Sequence, residues 1–167
     1  MRNSDSSSLP QVILLCGISG SGKTTYALDH QSQGYRRLSV DEMVWALHGE
    51  ALITYPVERQ TEIYVQANKE LIICLERELA VTRPVVVDAT LCSREKRDAM
   101  RRLCRSFGVE PQLIYMRASR EVLVRRIAQR KGTGPNDQPV PIERLFRFCE
   151  GFEEPMPDEN ALVIDQN

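Results

Sequence analysis

Gly17-Ile18-Ser19-Gly20-Ser21-Gly22-Lys23-Thr24 fits the pattern G-x-x-x-x-G-K-[ST] at every position. The residues around it decide how it folds. Gln11 to Cys16 is a short apolar run that reads as a buried strand, and Lys23 to His30 reads as a helix. A glycine-rich loop between strand and helix can turn several backbone N–H groups toward one anion, at the positive end of the helix. Gly17, Ser19, Gly20, Ser21 and Gly22 are therefore expected to cradle phosphates. Lys23 is placed to reach the β- and γ-phosphates, and the Thr24 hydroxyl to hold Mg²⁺. Thr25 is expected near the α-phosphate. The ligands this implies are ATP and Mg²⁺.

Working outward, strands and helices alternate. Tyr35 to Val40 reads as a second strand, with a helix opening at Asp41 as its N-cap. Pro56 to Thr82 is a long helical stretch whose apolar positions Ile63, Ala67, Leu71, Cys74 and Leu75 recur at helical spacing. Val85 to Asp88 is a β-branched run of the kind found in central parallel strands. Ser93 to Phe107 reads as a helix, Gln112 to Met116 as a strand, and Ser119 to Arg130 as a helix capped by Ser119. Lys131 to Pro139, with Gly132, Gly134, Pro135 and Pro139, marks a loop. A helix over about Pro141 to Phe152 and a strand at Ala161 to Ile164 complete the order. This predicts an α/β fold of three layers, the P-loop NTPase fold, with a five-stranded parallel sheet and a helical lid over about 126–140. Residues 1–10 read as a disordered tail and 11–167 as one domain.

The loop does not name the reaction. A guanine reader N-K-x-D is missing, since Asn68-Lys69-Glu70-Leu71 ends in leucine within a helix. Asp88 is followed by Ala89 rather than by a glutamate that would activate water. Both absences favour transfer to a hydroxyl over hydrolysis. Such an acceptor needs a carboxylate to orient it and take its proton. Asp41, just after the second strand, lies where ligands bind in open parallel sheets. Asp88, also at a strand end, suits either the acceptor or a Mg²⁺-bound water. Arg126 and Arg130, four apart before the Gly/Pro loop, suit a lid that brings positive charge to the migrating phosphoryl group. Trp45, one turn beyond Asp41, is read either as a stacking platform for an acceptor ring or as a half-buried core residue.

These pieces resemble the kinase domain of polynucleotide 5′-hydroxyl kinases and their zeta-toxin-like and chloramphenicol phosphotransferase-like relatives. The resemblance runs from about Val12 to Pro155. It rests on the loop at 17–24, Leu38-Ser39-Val40-Asp41, Val87-Asp88-Ala89-Thr90, Arg126-Ile127-Ala128-Gln129-Arg130-Lys131-Gly132 and Val140-Pro141-Ile142-Glu143-Arg144-Leu145. It implies that Lys23 and Thr24 serve ATP and Mg²⁺, that Asp41 is the general base, that Arg130 touches the phosphates and that Asp88 organises the acceptor side. The reading that follows is a kinase acting on a polynucleotide 5′-hydroxyl. A small-molecule kinase for a metabolite, nucleoside or antibiotic is one alternative, and a nucleotide-binding switch with little turnover is another. Polynucleotide kinases commonly carry an arginine three residues after the base to grip a 3′-phosphate. Here that residue is Val44, so the charge would come from Arg36, Arg37 or elsewhere.

Composition limits partners. With 22 Lys+Arg against 23 Asp+Glu the net charge is -1, so no global attraction to nucleic acid is implied. Charge is unevenly distributed: Arg94 to Lys131 is rich in arginine and Glu150 to Asp165 is mostly acidic. Arg94, Arg97, Arg101 and Arg105 recur at helical spacing, as a stripe along a phosphate backbone or a solvated face would. No apolar run is long enough to span a bilayer. The five cysteines form no CxxC pair, which suits reduced thiols in a cytoplasmic protein, and the two histidines make a zinc site an unfavoured reading. Oligomeric state is not legible at this level.

Overall fold

The computed structural model describes residues 10–167, so all but Pro10 of the expected tail lies outside the described residues. Five strands form one parallel sheet in the order β2-β3-β1-β4-β5: β1 Val12–Cys16, β2 Arg36–Ser39, β3 Val85–Asp88, β4 Gln112–Arg117 and β5 Leu162–Asp165. The helices are α1 Lys23–Ser32, α2 Val40–His48, α3 Val57–Ala80, α4 Arg94–Ser106, α5 Arg120–Ala128 and α6 Ile142–Gly151. This is the three-layer P-loop fold. Register pairs Val12 with Val85 and Ile13 with Gln112, so β1 lies between two strands that come much later in the chain.

Side chains on successive β1 residues point to opposite faces, and both faces are covered. Val12, Leu14 and Cys16, with Val85 and Val87, pack against Leu71, Leu75 and Leu79 of α3 and Met100 and Cys104 of α4. Ile13 and Leu15, with Val86, Ile114 and Met116, pack against Ala27 of α1. Burial on both sides explains why these strands read as unbroken apolar runs. A third, smaller cluster joins Leu123 and Ile127 of α5 to Leu145 of α6, with Ile18 of the glycine-rich loop at its margin.

Local boundaries differ from expectation in ways that matter for the site. The N-cap of α2 is Ser39, whose hydroxyl accepts from the Glu42 N–H at 3.3 Å; Asp41 lies inside the first turn. Ser39 is the better cap because β2 ends there in extended backbone, with its hydroxyl free to face the helix end. Asp41 is thus released from a capping role. Helix α5 stops at Ala128, before Arg130, and residues 129–141, most of the stretch expected to be a helical lid, form a loop that leads into α6. Asp137 braces that loop by accepting from the Lys131 and Thr133 N–H groups. No described helix is long and apolar enough to cross a membrane.

Candidate active site

The carboxyl ends of β1, β2 and β3 deliver the glycine-rich loop, Asp41 and Asp88 to one edge of the sheet. Loop geometry depends on Gly17: a Cβ there would lie 2.6 Å from Ser21 Oγ and 2.7 Å from the Met116 carbonyl oxygen. Its φ of 149° and its N–H bond to the Thr90 carbonyl at 3.2 Å fix where the loop leaves β1. Gly20 and Gly22 also have positive φ, which bends the backbone into the cradle expected of a phosphate loop.

Lys23 is buried and its Nζ donates to the Ile18 carbonyl at 3.0 Å, across the loop where phosphate would lie. Burial lowers its pKa, an effect opposed by the nearby Asp88 and Asp41 charges. Thr24 donates its hydroxyl to Asp88 Oδ2 at 3.1 Å. Thr25 is exposed on the first turn of α1. Arg126 fastens α5 to the loop by donating to the Gly20 carbonyl at 3.1 Å. Arg130 donates to the Gln138 carbonyl at 3.1 Å within the loop before α6. Burial lowers the Arg130 pKa, and Asp41 and Asp137 oppose that.

Asp41 is exposed on the first turn of α2, on the side that meets Tyr64 of α3. Desolvation raises its pKa, the Asp88 charge raises it further, and Lys23 and Arg130 pull in the other direction. Two carboxylates and two cations therefore share one electrostatic neighbourhood. Tyr64 of α3 joins them by donating to Asp41 Oδ1 at 3.4 Å. Trp45 is half-buried one turn after Asp41 and belongs to none of the core clusters. A groove of about 540 Å³ between α2 and α3, lined in part by Met43, Leu47, Ile63 and Glu70, excludes both Asp41 and the glycine-rich loop.

In the sequence Arg37 entered only as a source of charge for an acceptor phosphate, and the carboxylate network it makes went unrecognised. Its side chain is buried, and its Nε and Nη2 reach Asp88 Oδ2 at 3.1 and 2.7 Å. It also bonds Glu42 and, through Nη2, Asn136 Oδ1 of the loop before α6 at 3.1 Å. Nothing local in the sequence signals this, because the three partners come from β3, α2 and the loop before α6. Arg37 is therefore committed to carboxylates, and Arg36 lies on the surface beside Glu78. Val44 is buried in the core. The arginine expected to grip a 3′-phosphate is thus replaced neither at position 44 nor by Arg37.

The arginine stripe on α4 is consumed in the same way. Arg94 pairs with Asp158, Arg97 and Arg101 with Glu159, and Arg105 with Glu110. Arg97 and Glu159 are fully buried, and Arg97 also donates to the Leu91 and Glu153 carbonyls at 3.1 and 2.8 Å. The first three pin the segment after α6 onto α4, Arg105 ties α4 to the loop before β4, and two of the four are buried instead of facing a phosphate backbone. The cysteines are free thiols, and burial pushes Cys16 up to about 12.

A family model for the AAA domain matches residues 12–155. The chain belongs to that family. None of the curated proteins compared with it matched. Among solved structures it is similar to a gluconokinase from Sinorhizobium meliloti, with 23% identity over 93% of this chain and 82% of that chain, at a TM-score of 0.64. It is similar to Kti12 from Chaetomium thermophilum bound to ADP-AlF3, with 14% identity over 93% and 89% and a TM-score of 0.65. It is also similar to a chain of the Pnkp1/Rnl/Hen1 RNA repair complex, with 20% identity over 92% of this chain but 49% of that one, and a TM-score of 0.63. At these identities the likeness is one of fold.

Proposed function

We propose that this AAA-domain protein is a phosphotransferase that moves the γ-phosphoryl group of ATP to a hydroxyl of a small organic molecule. The observation that carries this is Asp41: a carboxylate free of capping duty, bonded to Tyr64, and in the field of Lys23 and Arg130. A hydroxyl placed against Asp41 would face a phosphoryl group held by the loop and Lys23, with Arg130 above it. Asp41 orients that hydroxyl and takes its proton, while Lys23 and Arg130 offset charge on the migrating group. Thr24 and Asp88 fit Mg²⁺, being hard oxygen donors already in contact. The metal would supply charge neutralisation between the β- and γ-phosphates.

The sequence alone favoured a polynucleotide 5′-hydroxyl as acceptor. The α4 arginines are spent on carboxylates, Arg37 is buried on Asp88 and Val44 is in the core, so a small acceptor is the better reading. The similar gluconokinase is spanned for most of its length and the RNA-repair chain for half, which leans the same way.

Transfer of labelled γ-phosphate from ATP to a panel of sugars, sugar acids, nucleosides and 5′-hydroxyl oligonucleotides, with Asp41→Asn alongside, tests this. Label on a small compound that vanishes in the variant supports the reading. Label on oligonucleotides alone restores the polynucleotide acceptor, and ATP binding without any transfer points to a nucleotide-binding switch.

A further inference from the structure

The cleft beside Asp41 has a second wall that the transfer chemistry leaves unused. Helix α3 presents Gln60 and Tyr64 one turn apart, and α6 brings Arg144 against them. Gln60 is held in place because its Nε2 donates to the Tyr55 carbonyl at 2.9 Å. This turns its own carbonyl oxygen toward Arg144 Nη1, 3.3 Å away. The Arg144 guanidinium also lies 5.4 Å from the centre of the Phe148 ring. Burial is the main effect raising the Tyr64 phenol pKa, with the Asp41 charge adding to it and the Arg144 charge opposing it, which places both charges near that hydroxyl.

Arg126 and Arg130 are spent on the Gly20 and Gln138 carbonyls, and most other arginines of the sheet end and α4 are spent on carboxylates. Arg37, Arg97, Arg101 and Arg94 each meet a carboxylate. Arg144 is half-buried and meets a neutral amide oxygen and an aromatic face, with no carboxylate partner among the described residues. A guanidinium has five N–H donors in a planar fork that matches a carboxylate or phosphate edge. One donor is used here and fixes the plane; the remainder have no anion.

We propose that Arg144, positioned by Gln60 and Phe148, binds an anionic group, a carboxylate or a phosphate, on the acceptor whose hydroxyl Asp41 receives. This rests on the phosphotransferase reading and narrows its substrate class to anionic hydroxyl compounds. Tyr64 stands between the two poles, donating to Asp41 at one end of the acceptor while Arg144 takes the other. Specificity follows from charge: a neutral polyol leaves the guanidinium of Arg144 without a partner in a partly desolvated cleft, whereas an anionic one satisfies it.

The test uses matched compounds that differ in the anion alone. D-gluconate and sorbitol form one pair, and glycerol 3-phosphate and glycerol form the other, which separates carboxylate from phosphate. Binding is measured by calorimetry on the full chain loaded with Mg²⁺ and a non-hydrolysable ATP analogue, so that no transfer is required. The expected result is preference for the anionic member of at least one pair by on the order of 10- to 100-fold. Arg144→Gln abolishes the preference, Arg144→Lys keeps part of it, and Arg147→Gln on the exposed side of α6 leaves it intact. Equal or absent binding by both members of each pair, or a preference that survives Arg144→Gln, overturns the proposal. Anion-selective binding with no phosphoryl transfer to the bound compound upholds the subsite and counts against the phosphotransferase reading instead.

Discussion

Thr24 donates its hydroxyl to Asp88 Oδ2, the same oxygen that accepts two N–H bonds from Arg37. One carboxylate oxygen thus ties the first turn of α1 to the end of β3 and to a buried cation on β2. The Arg37 side chain is 1% exposed and that of Asp88 5%. Removing Arg37 leaves Asp88 as a buried carboxylate with no salt-bridge partner, whereas Arg37 without Asp88 still has Glu42. Arg37→Ala is expected to lower unfolding free energy by about 3–5 kcal/mol, read from urea denaturation. A loss under 1 kcal/mol would mean that water reaches this pair.

Thr24→Ser keeps the hydroxyl and should keep Mg²⁺-dependent nucleotide binding. Thr24→Val removes it, and stability should fall by about 1 kcal/mol through one lost hydrogen bond. The larger effect should be on nucleotide affinity with Mg²⁺ present, with little change when the metal is chelated. Equal losses with and without Mg²⁺ would remove Thr24 from the metal site.

Asp41→Asn should reduce transfer by roughly 10²- to 10⁴-fold while leaving ATP affinity near that of the parent. Desolvation and the Asp88 charge raise the Asp41 pKa above its ordinary value of 3.8. Its proton-accepting form is therefore lost as pH falls through that raised pKa, and kcat/KM should decline on the acid side at a higher pH than an unperturbed aspartate would give. An acid limb unchanged in the Asp41→Asn variant would assign it to another group.

Burial would push the Glu159 carboxyl up, but hydrogen bonds from Arg97, the Met156 N–H and Arg101 outweigh this and hold it down at about 2. A carboxylate depressed in the fold stabilises it fully above the unfolded value of 4.5, and that contribution is lost as pH falls toward 2. Thermal unfolding from pH 6 to pH 2 should show the decline, and Glu159→Gln should flatten it. A decline of the same steepness in Glu159→Gln would place the acid-sensitive group elsewhere.

With the α4 arginines paired, binding of a 5′-hydroxyl oligonucleotide should be weak and have a shallow dependence of log K on log salt. A slope of several units, of the size expected when many phosphates are neutralised, would show that these ion pairs open for nucleic acid.

What was legible in the sequence was whatever is written in local spacing. The glycine-rich loop, the β-branched run at 85–88 and the apolar period of α3 each sit within one element, and each led to the right structure. Asp41 was placed at the correct strand end but given the wrong local role, because a serine two residues earlier competes for the cap. The α4 arginines were ambiguous because the partners of three of them lie about 60 residues away, on a segment whose acidity was visible but whose position was not. Tyr64 and Gln60 gave no signal, and Arg144 entered only as part of the stretch 140–145 that carried the resemblance. Each is ordinary in its own helix: α3 against α2 brings Tyr64 to Asp41, and α3 against α6 brings Gln60 to Arg144.

The sheet order also governs when the nucleotide loop can exist. β1 is hydrogen-bonded to β3 and β4, whose register partners lie 73 and 99 residues further along the chain. A nascent chain leaving the ribosome therefore carries its glycine-rich loop long before there is a sheet to hold it, and β1 waits as an apolar segment with both edges bare. ATP cannot assist the early stages of folding, and the interval before β4 emerges is when this chain most needs a chaperone.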